Sequence, residues 1–345
     1  MFKRISAITR RVDLLLLGLS GVLSFILLSQ FSLGEGGIMV EASADAPARA
    51  AVAAAPQAEE KTAPQSAARA GAPVRFLMYN VQNYFVDGDV SRSRYSKKMK
   101  PVAEREQVAT TIASASPEVV GLIEIGGTAA LDDLAARLAS RGLHYPHRTV
   151  LTRWGEDRAL ALLSMHPIVA DHSKADCSLL GQTNRRMLRG ILDVTVRTAK
   201  DKREFRIIGA HLKSRVGDNP AAAEALRARE ARTLAAHVQQ AMRTQPNLPI
   251  LVYGDWNDGP ADPALAVMTQ GSTKARTLRR LKPEDSRGES WTIYYKEGDE
   301  YSTFDQIYVN SVLSSRMGRK AQMGIVENEP GKRTSDHRAV WCEMY

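Results

Sequence analysis

ILVYGDWND, Ile250 to Asp258, is the stretch that decides how this chain is read. Four mostly β-forming residues, Ile250 to Tyr253, run into Gly254 and then into Asp255, Trp256, Asn257 and Asp258. An apolar strand therefore ends in a crowd of polar side chains. On an extended backbone Asp255 and Asn257, two residues apart, point to the same side and can address one phosphate or one water together. Gly, Asp and Asn are also ordinary turn formers, so the stretch alone leaves open a site edge or a plain turn.

Outward from it, the same pattern recurs. VRFLMYNVQNY, from Val74, is an apolar strand that breaks into Asn80, Gln82 and Asn83. Glu118 to Ile123 reads as a short buried strand ending in Glu124, a carboxylate that is expensive there unless exposed, paired or bound to metal. Phe205 to Ala210 leads into His211, Leu212, Lys213, Ser214 and Arg215. STFDQIYVN places Asp305 in a β-rich run, and Ser335, Asp336 and His337 precede a strand from Ala339 to Cys342. Further strands are expected at Ala159–Leu163, Ile168–Asp171 and Leu188–Val196, with helices at Val102–Ser114, Leu131–Ser140 and Ala221–Met242. In the last helix Arg227, Arg229 and Arg232 are expected to be solvated.

Strand ends gathered at one edge of a packed sheet make a site without sequence proximity. The side chains collected are Asn80, Glu124, His211, Asp255, Asn257, Asp305, Asp336 and His337. Oxygen donors without cysteine suit Mg²⁺, with Mn²⁺ as the alternative. Histidines beside carboxylates suit phosphate recognition or proton transfer. Lys213 and Arg215, beside His211, are expected to contact substrate phosphate. His144, His147, His166, His172 and His237 fall outside these clusters and read as surface or satisfied histidines. Trp256 reads equally as a base-stacking ring or as cover for the sheet edge. Arg92, Arg94, Lys97, Lys98 and Lys100 lie in an expected loop, either solvated or gripping a nucleic-acid backbone.

The chain has 345 residues and a formal net charge of +9, which suits a polyanionic partner such as nucleic acid or an anionic membrane. It has two cysteines, Cys177 and Cys342, without CxxC or zinc-ligand spacing, so neither a disulfide framework nor a zinc site is indicated. Pairing of the two is left open. Lys3, Arg4, Arg10 and Arg11 precede an apolar run from Leu14 to about Leu33, long enough to cross a bilayer. Residues 1–41 are thus expected to be a basic N-terminus with a transmembrane anchor, the remainder lying outside the cytoplasm. A cleaved signal, with Ala42, Ser43 and Ala44 as an A-x-A-like site, is the competing possibility. Residues 42–72, rich in Ala and Pro, form an expected disordered tether. A folded domain is expected over 73–345, with no obligate protein partner evident.

As an ordered set these motifs resemble the endonuclease/exonuclease/phosphatase superfamily, from about Val74 to the C-terminus. Asn80 in MYNVQN, Glu124 in VVGLIEI, His211 in GAHLKS, Asp255 and Asn257 in YGDWND, Asp305 in FDQI and Asp336–His337 in SDH follow the family's order. The resemblance implies a four-layer α/β sandwich of two mixed β-sheets flanked by helices, and a metal-dependent phosphodiesterase. It implies that Glu124, with Asn80 and Asp336, holds the metal and that Asp255 orients or deprotonates the attacking water. Asn257 would position that water or the phosphate. His337, oriented by Asp305, and His211 would neutralise charge on the pentacovalent transition state. Signatures of an abasic-site endonuclease, an inositol phosphatase or a sphingomyelinase are not evident. A nuclease is the leading expectation. A lipid phosphodiesterase or phosphomonoesterase at the membrane surface, and a catalytically silent binding module, are the alternatives.

Overall fold

Near-continuous apolar runs such as Phe76–Tyr79 and Val119–Ile123 belong in strands covered on both faces, and that is where they lie. The computed structural model describes residues 71–87, 99–271, 273, 276–296, 298–319, 321–327 and 334–345, all within one compact unit, Gln65–Tyr345. The anchor or signal segment, the tether up to residue 70, and Arg92, Arg94, Lys97 and Lys98 lie outside the described residues. Among the described residues no helix is long and apolar enough to cross a membrane.

In chain order the elements are β1 (Val74–Tyr84), α1 (Val102–Ser114), β2 (Val119–Ile125), α2 (Thr128–Ala139), β3 (His147–Leu151), β4 (Ala159–Ser164) and β5 (Ile168–Asp171). They continue with β6 (Ser178–Leu179), β7 (Gln182–Arg186), β8 (Leu192–Arg197), β9 (Glu204–His211), α3 (Pro220–Thr244), β10 (Ile250–Asp255) and α4 (Pro263–Thr269). The last are β11 (Arg279–Arg280), β12 (Ile293–Tyr295), β13 (Glu300–Ser302), β14 (Asp305–Val309), α5 (Ser311–Met317), β15 (Met323–Ile325) and β16 (Val340–Met344).

Two six-stranded mixed sheets result, ordered β15-β16-β1-β2-β4-β3 and β11-β14-β10-β9-β8-β5. Each is built around one parallel pair, β1/β2 and β9/β10, and all its other pairings are antiparallel. Parallel neighbours require a crossover, supplied here by α1 and by α3. One apolar cluster fills the space between the sheets, with Phe76, Ile123, Leu192, Phe205, Tyr253 and Val340 among its members. A second packs α1 and α2 on the outside of the first sheet through Ile112, Leu134 and Leu138. A third packs α3 and α4 on the second sheet through Leu234, Val238 and Leu265. The order is helices, sheet, sheet, helices, the four-layer sandwich the motifs implied.

Local chemistry explains where the boundaries moved. α3 starts at Pro220, a residue suited to the first helical turn, and Asn219 caps it by accepting the Ala222 amide at 3.0 Å. The expected strand from Leu188 begins only at Leu192, because Gly190 (φ +72°) turns the chain where a Cβ would lie 2.3 Å from the Lys174 carbonyl. β3 and β7 escape apolar patterning because both are largely polar and at least half-exposed. Arg227, expected to be solvated, is buried, with Nε 2.8 Å from Asp258 Oδ1; the helix turns it inward to neutralise that buried acid. Cys177 and Cys342 are free and sit in different clusters, so they do not pair.

Candidate active site

Strand register assembles the centre of the site. Asp255, last in β10, is directly opposite His211, last in β9, and Asp305, first in β14. Three adjacent strands thus deliver one row. From the other sheet comes Asn80, after which β1 shifts register through Gln82 (φ +45°) and Asn83 (φ +54°). Ser335 Oγ donates to the Asn80 carbonyl at 2.7 Å and accepts the His337 amide at 3.1 Å, which fixes His337 beside it.

Asp255 is the hub. Its Oδ2 accepts from Asn80 Nδ2 at 2.9 Å and lies 3.4 Å from His211 Nε2 and 3.7 Å from His337 Nε2. Its Oδ1 accepts the Asn257 amide at 3.0 Å. Burial pushes the Asp255 carboxyl well above the usual range, against the pull of His337 and with Asp305 adding to the rise. Such a carboxylate is a better base than a solvated one. For His337, burial alone would lower the pKa, but Asp305 and Asp255 outweigh it and hold the ring cationic. Asp305 Oδ2 lies 2.6 Å from His337 Nδ1, leaving Nε2 directed at the site. His211 differs from expectation. Burial, then Arg189, His337 and Arg158, keep its imidazole well below the ordinary value. This environment disfavours the cationic ring, against the charge-neutralising role the resemblance implies.

Glu124, with its side chain 15% exposed, sits at φ +66°, a left-handed backbone that a non-glycine residue adopts at some energetic cost. Its Oε2 accepts the Asn83 amide at 3.1 Å and lies 3.2 Å from Arg158 Nε, and its Oε1 is 3.9 Å from His211 Nε2. Pairing with Arg158 resolves the cost of ending an apolar strand in an acid. Asp336 is more open, 43% exposed, with its amide held by Gln82 Oε1 at 3.1 Å. Lys100, buried, lies close enough to feel both Glu124 and Asp336, so the two acids share one neighbourhood. Glu124, Asp336 and Asn80 Oδ1, the last of which accepts the Gln82 amide at 3.0 Å, are all oxygen donors, the type a hard divalent cation takes. Asp255, Asp305 and His337 also bring potential ligand atoms within 4.8 Å of one another. In that trio Asp305 engages His337 Nδ1, so Nε2 is the ring atom left to face a ligand.

Asn257 does not sit on an extended segment with Asp255. It is left-handed (φ +52°), which folds its Nδ2 onto the Leu212 carbonyl at 3.1 Å. Lys213 Nζ donates to the Ser214 and Val216 carbonyls of its own loop. Arg215 donates to the Asn257 carbonyl at 3.0 Å and to Asp262 at 2.7 Å, and its guanidinium lies 4.9 Å over the Phe304 ring. Both border the site while their donors serve the chain. Trp256 is fully buried against Tyr308, so it is core rather than a base-stacking ring. His166 is paired with Glu118, and His237 with Asp193.

Two cations escaped the sequence patterns. Arg158 reaches Glu124 and Asn83 Oδ1 from the loop before β4. Arg189 is buried, donates to the Leu212 carbonyl at 3.3 Å, and has an Nε with no partner. Its turn is held by the buried Glu230, which accepts the Leu188 and Lys213 amides at 2.8 and 2.7 Å. The Arg-Gly step before a strand was the only sequence trace of it.

A family model described as the Endonuclease/Exonuclease/phosphatase family matches residues 82–327, a span that contains Glu124, His211, Asp255, Asn257 and Asp305. No curated protein sequence matches the chain. Among solved structures it is similar to the human nocturnin catalytic domain with bound sulfate anion, at 16% identity over 79% of this chain and 94% of that one, with TM-score 0.56. It is also similar to an endonuclease/exonuclease/phosphatase from Bacteroides vulgatus, at 14% identity over 80% and 99%, with TM-score 0.57. Truncated TDP2 of Caenorhabditis elegans matches at 14% identity over 79% and 97%, with TM-score 0.53. Identities this low speak for a shared fold.

Proposed function

Because the chain belongs to the endonuclease/exonuclease/phosphatase family, and is therefore a metal-dependent phosphoric ester hydrolase, we propose that it hydrolyses phosphodiester bonds in nucleic acid outside the cytoplasmic membrane. The observation that carries this reading is the buried Asp255 carboxylate facing a cationic His337, with Arg158 and Arg189 close by. A base and several fixed positive charges converge where a phosphodiester and a water would meet. The net charge of +9 supports a polyanionic substrate.

In this mechanism Asp255 orients the attacking water and takes its proton, while the Asn257 amide fixes one oxygen of that carboxylate. Asn80 holds the other oxygen and limits its rotation. Asp305 keeps His337 charged and directed, so that Nε2 meets negative charge developing on the phosphoryl oxygens. His211 donates a hydrogen bond to the same oxygens. Glu124, Asn80 and Asp336 would hold Mg²⁺ or Mn²⁺, which when bound supplies Lewis-acid polarisation of the phosphoryl group. The apolar run near the N-terminus supports export, as an anchor or as a cleaved signal.

The test incubates the full chain with plasmid DNA, RNA, sphingomyelin vesicles and bis(4-nitrophenyl) phosphate, with Mg²⁺ or Mn²⁺ and with chelator. Metal-dependent nicking should fall about 10²- to 10⁴-fold in Asp255→Asn, with an unchanged circular dichroism spectrum. Retained activity in the variant refutes the role of Asp255. Turnover of the lipid alone moves the function to the membrane surface.

A further inference from the structure

The β12–β13 hairpin stands outside both six-stranded sheets yet is rooted in the site. Ile293 bridges His337 directly, the Arg338 amide donates to the Thr292 carbonyl at 2.7 Å, and Thr292 Oγ1 accepts the Phe304 and Asp305 amides at 3.1 and 3.0 Å. A two-stranded ribbon alone is marginal in water. Here one face is braced by a stack of rings. Tyr294 and Tyr301 are cross-strand partners with centroids 4.6 Å apart, and Trp291 meets Tyr301 at 4.9 Å. The Arg338 guanidinium closes the stack 4.2 Å over Trp291 and is itself held by Asp285 at 2.7 Å.

The opposite face carries Tyr295. Directly paired residues of antiparallel strands project to the same side, so Ile293 shares a side with His337 and with its other partner, Ser302. Tyr295, two residues further along, lies on that side as well. It is 52% exposed, and its ring rests on the turn at Gly298, where a Cβ would lie 3.1 Å from the ring. The ring thus lies against the Gly298 turn and is half-exposed, on a stiffened arm that starts at His337.

We propose that Tyr295 is a stacking platform for the base neighbouring the scissile phosphate, and that the protein therefore selects nucleic acid with unpaired bases over intact duplex. This inference rests on the nuclease reading above. Within a duplex both faces of each base are already stacked, whereas an unpaired base offers a free face to a fixed aromatic ring. Stacking of this kind tolerates any base. Lys296, Asp299 and Glu300 at the turn make the arm too charged for a bilayer interior.

The experiment measures cleavage of a labelled single strand, its duplex and the same strand carrying abasic positions, using the full chain and its Tyr295→Ala and Tyr295→Phe variants. The wild type should prefer the single strand. Tyr295→Ala should raise KM on it about 5- to 100-fold with little change in kcat, and Tyr295→Phe should retain the wild-type KM. On the abasic strand all three proteins should match. An unchanged KM for Tyr295→Ala in an active nuclease overturns the stacking role alone. Loss of binding to phosphatidylcholine/phosphatidylglycerol vesicles in that variant, with nucleic-acid cleavage intact, overturns it in favour of a membrane contact. If the wild type cuts no nucleic acid yet turns over bis(4-nitrophenyl) phosphate, the nuclease reading fails and this inference with it.

Discussion

A buried guanidinium with few hydrogen bonds is costly, and Arg189 has a single 3.3 Å bond to a carbonyl and an Nε with none, its charge offset by the nearby buried Glu230. Structures tolerate such groups where a ligand completes them, and Arg189 lies near enough to His211 to depress its pKa. If phosphate is that ligand, Arg189→Met should lower kcat/KM for the phosphodiester by about 10²- to 10³-fold, as loss of one fixed transition-state donor does. The same variant should lose some stability in urea while keeping the native circular dichroism spectrum, because Glu230 is left buried without its neighbouring cation. A variant that unfolds easily while keeping its activity would make Arg189 a structural residue instead. At this scale the chain announced its acids and histidines, since each ends an apolar run. It did not announce Arg189 or Arg158, because an isolated arginine in a polar loop looks the same whether it faces water or a phosphate.

Between the two sheets the Tyr253 ring lies against Gly121, with Gly209 beside it in its own sheet. Tyr253 of β10 is fully buried, and a Cβ on Gly121 of β2 or Gly209 of β9 would come within 2.5 Å of it. Gly209 is the in-register neighbour of Tyr253, whereas Gly121 faces it from the other sheet. The sheets that present Asn80 and Asp255 to each other are spaced by this contact. Gly121→Ala should destabilise the domain by about 1–3 kcal/mol in urea unfolding, the usual cost of overpacking a core. Combining it with Tyr253→Leu should recover part of that loss relative to Tyr253→Leu alone, since the atoms that clash are gone. Additive losses would show that the two positions do not meet. The elements with strong patterns, β1, α1, β9 and β10, were legible in the sequence nearly to the residue. β3, β7 and the β12–β13 hairpin were not, because polar edge strands and short ribbons are held by their partners rather than by their own periodicity.

On the outer side of the second sheet, a buried network ties β8, β9 and α3 together. Asp193 accepts two bonds from Arg206, at 2.8 and 2.7 Å, and lies 2.6 Å from His237 Nε2, while Arg206 also donates to Gln245. Burial alone would raise the Asp193 carboxyl, but Arg206 and His237 outweigh it and hold it below its usual range. A depressed folded-state pKa contributes stability that is complete above the unfolded value, about 3.9, and is lost as pH falls toward the folded one. Asp193→Asn should therefore be less stable than the wild type at pH 7, by about 3–5 kcal/mol, because Arg206 is left buried without its counter-charge. The gap should narrow as pH falls below about 4, where the unfolded carboxyl takes up its proton first, and close toward the depressed folded-state value, where the native carboxyl is protonated too. A gap independent of pH in urea melts would rule out the ionic role. Taken as a whole, the sequence by itself determined the strongly patterned strands and helices and the set of acids, amides and histidines, because apolar periodicity and strand-end chemistry are local properties written in neighbouring residues; the four-layer order was legible only through the family that the ordered motifs resemble. Only the tertiary structure decided that burial and neighbouring cations disfavour a charged His211, that Lys213 and Arg215 donate to nearby chain atoms, and that Arg189 is buried near His211. Charge state and accessibility depend on what folds in from distant positions, and no local pattern encodes that.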